Sequence, residues 1–186
     1  MNFDNLIKKR ASIRHYTNKK IKIDSVIDAI EAANTAPSPG NLPLLKYMII
    51  EDKETIDKIA VGCQQEFIKQ SPVLVIICSD ANKCDIMYPE RSSKYLKHHV
   101  GAAVENFLLK ITDMKLACCW IGAFSDSTIK NILRIPENIE VEVVLPIAYE
   151  RKGSKTKQKK KNNLSNIIYF NTWKNKKQAK PTMVRN

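Results

Sequence analysis

The first residues suited to chemistry lie near the start of the chain. The segment Arg10-Ala11-Ser12-Ile13-Arg14 places two guanidinium groups and a hydroxyl close together, directly after a short predicted helix. A guanidinium group presents a planar fork of N–H donors that matches the oxygens of a phosphate. Basic residues just after a helix also interact favourably with the negative end of its dipole. That role is purely structural. Taken alone, the segment is compatible with a phosphate site without requiring one.

Two further segments contain residues that let the backbone approach a ligand closely. Residues 37–41 read PSPGN and are dense in turn-forming residues. Residues 119–124 read CWIGAF, where an apolar strand ends at Gly122. A glycine at the end of a strand leaves room for a ligand beside the N–H groups of the backbone. Either segment could also be an ordinary turn.

Other familiar chemical signatures are missing from the sequence. The chain has five glycines, and no two are close enough for a Rossmann fingerprint or a Walker loop. Its five cysteines include no Cys-x-x-Cys pair. Adjacent His98 and His99 on a helix would point about 100° apart, which makes a poor face for a metal. We therefore predict no metal site and assign no catalytic residue, while a cysteine nucleophile stays open.

Length and composition predict one globular domain with a basic C-terminal arm. The chain has 186 residues, of which 44% are hydrophobic and 27% charged, and this excludes disorder. Residues 1–150 hold 19 basic and 19 acidic residues, whereas residues 151–186 hold 12 basic residues and no acid. We predict a core over 1–150 and a basic arm over 151–186. The arm could be a solvated tail, a polyanion-binding segment or a source of lysines for a bound phosphate.

No stretch of the sequence suits a membrane. The longest segment without charge, residues 32–45, contains three prolines and is too short to span a bilayer. Lys8, Lys9 and Arg10 follow the N-terminus without the apolar run of a secretory signal. We expect a cytoplasmic protein that does not bind a membrane.

Helical and strand patterns alternate along residues 1–150. The spacing of apolar residues predicts helices over 2–9, 54–60, 92–115 and 127–133, and Pro136 is expected to end the last of them. A further helix is predicted to begin at an N-cap at Asp24. Short apolar runs predict strands over 47–50, 72–78, 117–121 and 140–147. This order predicts a three-layer α/β or α+β domain. An apolar patch within 164–173 must be buried against the same or another subunit.

Four stretches, in this order and spacing, resemble the nitroreductase-like flavin family. They are residues 10–16 (RASIRHY), 36–41 (APSPGN), 101–109 (GAAVENFLL) leading into 119–124, and 135–136 (IP) leading to 145–149 (LPIAY). Residues 159–173 match the closing pattern of basic residues, an aliphatic stretch and a tryptophan. The resemblance covers nearly the whole chain. It implies an α+β fold with a central, mostly antiparallel sheet flanked by helices, in a homodimer whose C-terminal arms are exchanged.

The resemblance also implies an FMN held at the dimer interface. The residues that would contact its phosphate and ribityl region are Arg10, Ser12, Arg14, Lys159 and Lys161. The loop residues that would reach the flavin of the other subunit are Pro37, Ser38, Pro39 and Asn41. The residues near the flavin ring would be Ile121 and Gly122, beside its reactive nitrogen, and Gln64 or Gln65, at its pyrimidine edge.

The function implied by the resemblance is that of an FMN-dependent NAD(P)H oxidoreductase. NADH or NADPH would reduce the flavin, and a nitro compound, quinone or similar small-molecule acceptor would reoxidise it in a ping-pong cycle. The alternative is a polyanion- or nucleic-acid-binding protein that uses the basic arm, but residues 1–150 carry no net charge, so we expect no nucleic-acid partner. A family member that binds flavin without turnover is a third possibility. The chain departs from the family pattern at His99, where an acidic residue is common.

Overall fold

The computed structural model describes residues 1–153 and 162–177, which fall in two compact units divided after residue 156. The helices of the first unit are α1 (Phe3–Lys9), α2 (Ile23–Asn34), α3 (Lys53–Gly62), α4 (Asn82–Met87), α5 (Ser92–Asp113) and α6 (Asp126–Leu133). Its strands are β1 (Tyr16–Thr17), β2 (Leu45–Ile50), β3 (Val73–Asp80), β4 (Ala117–Cys118) and β5 (Ile139–Glu150). Two short 3-10 turns cover Pro39–Asn41 and Glu66–Gln70.

The strands of the first unit form one antiparallel sheet. Its order is β1-β5-β3-β2, with β4 also paired to β5. Val73 lies opposite Ile147 and Asp80 lies opposite Ile139, so β3 runs along most of β5. The predicted α+β fold with an antiparallel sheet and flanking helices is confirmed.

Helices cover both faces of the sheet because β3 is apolar on both sides. Alternate residues of a strand point to opposite faces. Val75 and Ile77 lie in a core cluster with Phe107 of α5 and residues of α2, whereas Leu74 and Ile76 lie in a second cluster with residues of α3 and α6. The domain therefore has three layers, with α2 and α5 on one side of the sheet and α3 and α6 on the other.

Several predicted element ends were wrong. The N-cap of α2 is Lys22 rather than Asp24. The Asp24 carboxylate lies in the first turn of the helix, where its negative charge interacts favourably with the positive end of the helix dipole. Helix α6 does end at Leu133 as predicted, but the helix is ended by Arg134 in a left-handed conformation (φ 54°) rather than by Pro136. The strand predicted over 117–121 is interrupted: β4 ends at Cys118, and only an isolated bridge joins Ile121 to Val144.

Helix α5 is the longest described helix and supports one face of the sheet. It has 22 residues and buries Val100, Val104, Phe107 and Ile111 at helical spacing. Its opposite side carries polar and charged groups, among them His98 and Glu105. Within residues 1–153 and 162–177, no helix combines the length and apolarity needed to cross a membrane.

The described part of the second unit contains a single helical turn, α7 (Leu164–Ile167). The rings of Tyr169 and Trp173 stack with centroids 4.4 Å apart, and the ammonium of Lys176 lies 3.6 Å from the centre of the Tyr169 ring. The apolar side chains of α7 and Trp173 are exposed in the single chain. That this patch is buried against a subunit stays a prediction.

A β-bulge in β5 positions the buried carboxylate of Glu142. Ile77 lies opposite Val143 and Cys78 opposite Val141, which leaves Glu142 as the extra residue. The Glu142 carboxylate accepts hydrogen bonds from the Ser79 hydroxyl at 2.7 Å and from the Lys97 ammonium at 2.7 and 2.8 Å. Its side chain is 6% exposed. It therefore joins the sheet to α5.

We expect Glu142→Ala to lower the free energy of unfolding by about 1–3 kcal/mol, because it leaves the buried Ser79 hydroxyl without its acceptor and breaks the link to α5. Urea unfolding followed by circular dichroism measures the change. The control is Glu54→Ala, which removes an exposed ion pair with Lys58 and should have little effect. Equal stability of the Glu142→Ala variant and the wild type would contradict this assignment.

Candidate functional site

The N-terminal segment that carries Ser12 and Arg14 is fixed beside β4. The Ile13 N–H donates to the Cys118 carbonyl at 3.1 Å, and the Tyr16 hydroxyl donates to the Ile13 carbonyl at 2.6 Å. Tyr16 is fully buried, and its N–H donates to Gln70 Oε1 at 3.2 Å. These bonds hold the backbone of the segment while the side chains of Ser12 and Arg14 stay exposed.

Ser12 and Arg14 lie next to Cys119. Burial raises the pKa of the Cys119 thiol, whereas the charge of Arg14 and a hydrogen bond with the Ser12 side chain lower it. Trp120, Ile121 and Gly122 follow Cys119 along the chain. The structure therefore brings two predicted site residues, Ser12 and Arg14, to Cys119, and two more, Ile121 and Gly122, follow within three residues along the same edge of β5.

Gly122 provides an open stretch of backbone in this group. The Ile121 N–H donates to the Val144 carbonyl at 3.1 Å and the Val144 N–H donates back at 3.0 Å, so the chain leaves the sheet only after Ile121. Gly122 is exposed, and a Cβ placed on it would meet only Trp120 Nε1, at 3.7 Å. A flat ligand can therefore lie against the backbone at this position.

Gln64 is placed near the same group by the end of α3. The Ser125 N–H donates to the Gly62 carbonyl at 3.0 Å, which ties the end of α3 to the segment that follows Gly122. Gln64 then adopts a left-handed conformation (φ 53°) and is exposed. The amide of Gln64 is therefore available to a polar ligand edge, and its neighbour Gln65 is only half-buried.

Arg10 has a different environment from Ser12 and Arg14. Its Nε lies 3.2 Å from Glu105 Oε1 of α5. It also lines a cavity of about 250 Å³ together with Lys115 and Glu150. The Arg10 guanidinium is thus partly engaged by an acid, and its role as a phosphate contact stays a prediction. Lys159 and Lys161 lie outside the described residues.

The predicted loop over 37–41 lies at the opposite end of the sheet. It leads into β2, where Leu45 pairs with Ser79, and Ser79 pairs with Glu140 of β5. Tyr16, next to the arginine segment, pairs with Glu150. Cys118, which anchors the segment of Ser12 and Arg14, lies opposite Ile147, about 23 Å along the strand from Glu140. Ile121 lies nearer, because it is opposite Val144, about 13 Å from Glu140. Within a single copy of the chain, the loop therefore lies far along the strand direction from Ser12 and Arg14.

The 37–41 loop packs closely against the end of α4 and the residue that follows it. Gly40 has φ 57°, and a Cβ on it would lie 2.6 Å from Met87 Sδ and 3.2 Å from the Tyr88 hydroxyl. Asn41 also adopts a positive φ of 56°, which asparagine tolerates better than most residues. Beside the loop is a cavity of about 430 Å³ that Tyr88, Tyr95, His98 and His99 also line. Sequence reasoning marked His99 only as a departure and did not find the two tyrosines.

The cysteines do not supply a reactive thiolate. All five are buried and free. Burial raises the pKa of Cys63 to about 11 and that of Cys78 to about 11, so both are neutral thiols near pH 7 and poor nucleophiles. In the part of the chain that the structure describes, no cluster of three or more His, Cys, Asp or Glu side chains could hold a metal.

Three known proteins illustrate the similarity of this chain to others. It is 29% identical over 117 residues to a protein named FMN reductase [NAD(P)H] from Bacillus subtilis, covering 62% of this chain and 46% of that protein. It is 23% identical over 170 residues to an iodotyrosine deiodinase from Thermotoga neapolitana, covering 77% and 86%. A crystal structure of a nitroreductase family protein from Clostridium novyi superposes with a TM-score of 0.75 at 25% identity, covering 94% and 96%.

A family model, the nitroreductase family, matches residues 7–61 and 60–149. The matched ranges contain both the Ser12–Gly122 group and the 37–41 loop, and they end at the last residues of β5. They make up most of the chain. The chain belongs to the nitroreductase family.

Proposed function

We propose that this protein is an FMN-dependent NAD(P)H oxidoreductase that reduces nitro compounds, quinones or similar small acceptors. Membership of the nitroreductase family supports this proposal, as does the similarity to the Bacillus subtilis protein named FMN reductase [NAD(P)H]. The observation that carries it is that the exposed Ser12 and Arg14 side chains act on Cys119, three residues before the open backbone of Gly122. A cation and a hydroxyl suit a phosphate, and the open backbone suits a flat ring.

The residues in this group fit the chemistry of FMN. Arg14 and Ser12 would bind the phosphate and ribityl region through charge-assisted and neutral hydrogen bonds. The backbone at Ile121 and Gly122 would orient the ring, and Gln64 would bind its polar edge. When bound, FMN supplies the redox chemistry, accepting a hydride from NADH or NADPH and passing electrons to the acceptor. The protein's part is to hold and orient the ring and to exclude water, so no acid–base residue is assigned.

We also propose that the complete site requires a second copy of the chain. The start of β2, to which the 37–41 loop leads, lies about 23 Å along the strand direction from the position at which Cys118 anchors the segment of Ser12 and Arg14, so the loop of one copy would complete the site of the other. We further propose that the basic arm over 151–186 crosses to the partner, where Lys159 and Lys161 would complete the phosphate site and the exposed apolar side chains around Trp173 would be covered.

An absorbance spectrum of the purified protein tests the proposed function. We expect a yellow protein, or one that turns yellow with added FMN, whose visible absorbance is lost when NADH or NADPH is added without oxygen. The nicotinamide that bleaches it is the electron donor. A protein that cannot retain FMN would contradict the proposal. A salt-dependent mobility shift with DNA in that protein would instead support the polyanion-binding alternative.

A further inference from the structure

Tyr16 is the buried residue next to the proposed phosphate contacts. Its side chain lies in a small core cluster with Ala117 and Ala148, and its ring packs against that of Phe67 with centroids 5.9 Å apart. A tyrosine buried in this way usually directs its hydroxyl to a hydrogen-bond partner. Here the partner is the Ile13 carbonyl, to which the Tyr16 hydroxyl donates at 2.6 Å.

Ile13 lies between Ser12 and Arg14 in the chain, and both of its backbone groups are held. Its N–H donates to the Cys118 carbonyl at 3.1 Å, which fixes the peptide unit that joins Ser12 to Ile13. Its carbonyl accepts from the Tyr16 hydroxyl, which fixes the peptide unit that joins Ile13 to Arg14. Because a peptide unit is planar, this second bond sets the direction in which the chain enters Arg14. The Tyr16 hydroxyl therefore acts more directly on Arg14 than on Ser12.

Burial keeps the Tyr16 hydroxyl protonated and away from direct contact with a ligand. Tyr16 is 0% exposed, and burial raises the pKa of its hydroxyl well above the usual value, so the group stays a neutral donor at physiological pH. Its backbone is held as well, because its N–H donates to Gln70 Oε1 at 3.2 Å and β1 pairs it with Glu150. Any effect of Tyr16 on a bound phosphate therefore passes through the segment that it holds.

We propose that Tyr16 is a positioning residue for the cofactor: its hydroxyl, by holding the Ile13 carbonyl, orients the Arg14 guanidinium toward the phosphate of FMN. The inference rests on the proposed function, in which the exposed Arg14 side chain binds that phosphate. An arginine side chain loses conformational freedom when it binds, and a fixed backbone beneath it reduces the total cost of ordering. The hydrogen bond should therefore raise affinity for the phosphate and leave affinity for the flavin ring unchanged.

Affinities for FMN and riboflavin, measured by quenching of flavin fluorescence, test this inference. Riboflavin has the same ring and ribityl chain but no phosphate, so we expect the wild type to bind FMN more tightly. Tyr16→Phe keeps the aromatic ring and removes only the hydroxyl. It should weaken FMN binding about three- to tenfold, as the loss of one hydrogen bond does, and leave riboflavin binding unchanged. In an Arg14→Ala chain the same substitution should have no further effect on FMN binding, since Tyr16 acts through Arg14.

Tyr47→Phe is the matched control for the loss of a buried tyrosine hydroxyl. The Tyr47 hydroxyl is buried without a hydrogen-bond partner among the described residues. Tyr47 belongs to β2, outside the Ser12–Gly122 group. Its substitution should change the affinity for neither flavin.

A second measurement needs no variant and so holds even where Tyr16→Phe fails to fold. Coupling between two equilibria is reciprocal, so a hydrogen bond that favours FMN over riboflavin is itself stabilised by FMN. Exchange of the Tyr16 hydroxyl proton with solvent, followed by NMR, should be slower with FMN bound than with riboflavin bound, by a similar factor.

Four results would each overturn the positioning role of Tyr16. They are equal exchange rates with the two flavins, an unchanged FMN affinity in Tyr16→Phe, an equal loss of affinity for both flavins, and a further loss of FMN affinity in the Arg14→Ala chain. All four leave flavin binding by the wild type intact. A wild type that binds neither flavin would contradict the proposed function itself.

Discussion

Replacing Arg14 with alanine is expected to weaken FMN binding by roughly ten- to a hundredfold while leaving the fold intact. A hydrogen bond to a charged group contributes about 1.5–3 kcal/mol, and about 1.4 kcal/mol corresponds to tenfold in affinity. Arg14 is exposed, so its removal creates no cavity in the core. Its backbone position is held by Ile13 and Tyr16, whose hydrogen bonds the substitution does not remove.

Quenching of FMN fluorescence on titration measures the affinity, and urea unfolding of the apoprotein measures stability. Arg91→Ala is the matched control, because Arg91 is another exposed arginine, at the start of α5 and outside the Ser12–Gly122 group. We expect it to bind FMN as the wild type does. Lys161→Ala is expected to weaken binding as well. If Arg14→Ala and Lys161→Ala both retain FMN as tightly as the wild type, the proposed phosphate site is wrong.

The layers of the fold could be predicted because local patterns determine them. The apolar spacing of α5 follows one face of a helix, and the apolar runs of β3 and β5 are long enough to be buried on both sides. The strands of two residues, β1 and β4, could not be predicted in the same way. Each is defined by its pairing with β5, and such long-range pairing leaves no periodic signal in a segment so short.

The candidate site could be predicted only in part, because some of its contacts depend on pairing between distant parts of the chain. The family resemblance placed Ser12, Arg14 and Gly122 in one site, and the hydrogen bond from the Ile13 N–H to the Cys118 carbonyl explains why their two segments meet. The separation of the 37–41 loop from this group depends on the register of β2, β3 and β5, which the sequence does not display. The pairing of Arg10 with Glu105 joins residues far apart in the chain. The unpartnered Nδ1 of His99 likewise becomes visible only once its surroundings are known.

A mixed dimer of one Arg14→Ala chain and one Asn41→Asp chain is expected to regain tight FMN binding at half of its sites. A homodimer of Arg14→Ala has the defect in both sites, and so has a homodimer of Asn41→Asp. Asn41→Asp keeps the side-chain shape and the tolerance of a positive φ but replaces the amide donors of the loop with a negative charge. If each site takes Arg14 from one copy and Asn41 from the other, a mixed dimer has one site with both defects and one site with neither.

The most direct test of the composite site is therefore an FMN titration of the mixed dimer, purified through a different affinity tag on each variant chain. We predict that half of its sites bind FMN with wild-type affinity, whereas neither homodimer has any such site. Arg91→Ala paired with Asn41→Asp serves as the control, and there too half of the sites should keep wild-type affinity, because one site holds an intact loop. An Arg14→Ala and Asn41→Asp mixed dimer in which no site reaches wild-type affinity would contradict a site shared between two copies.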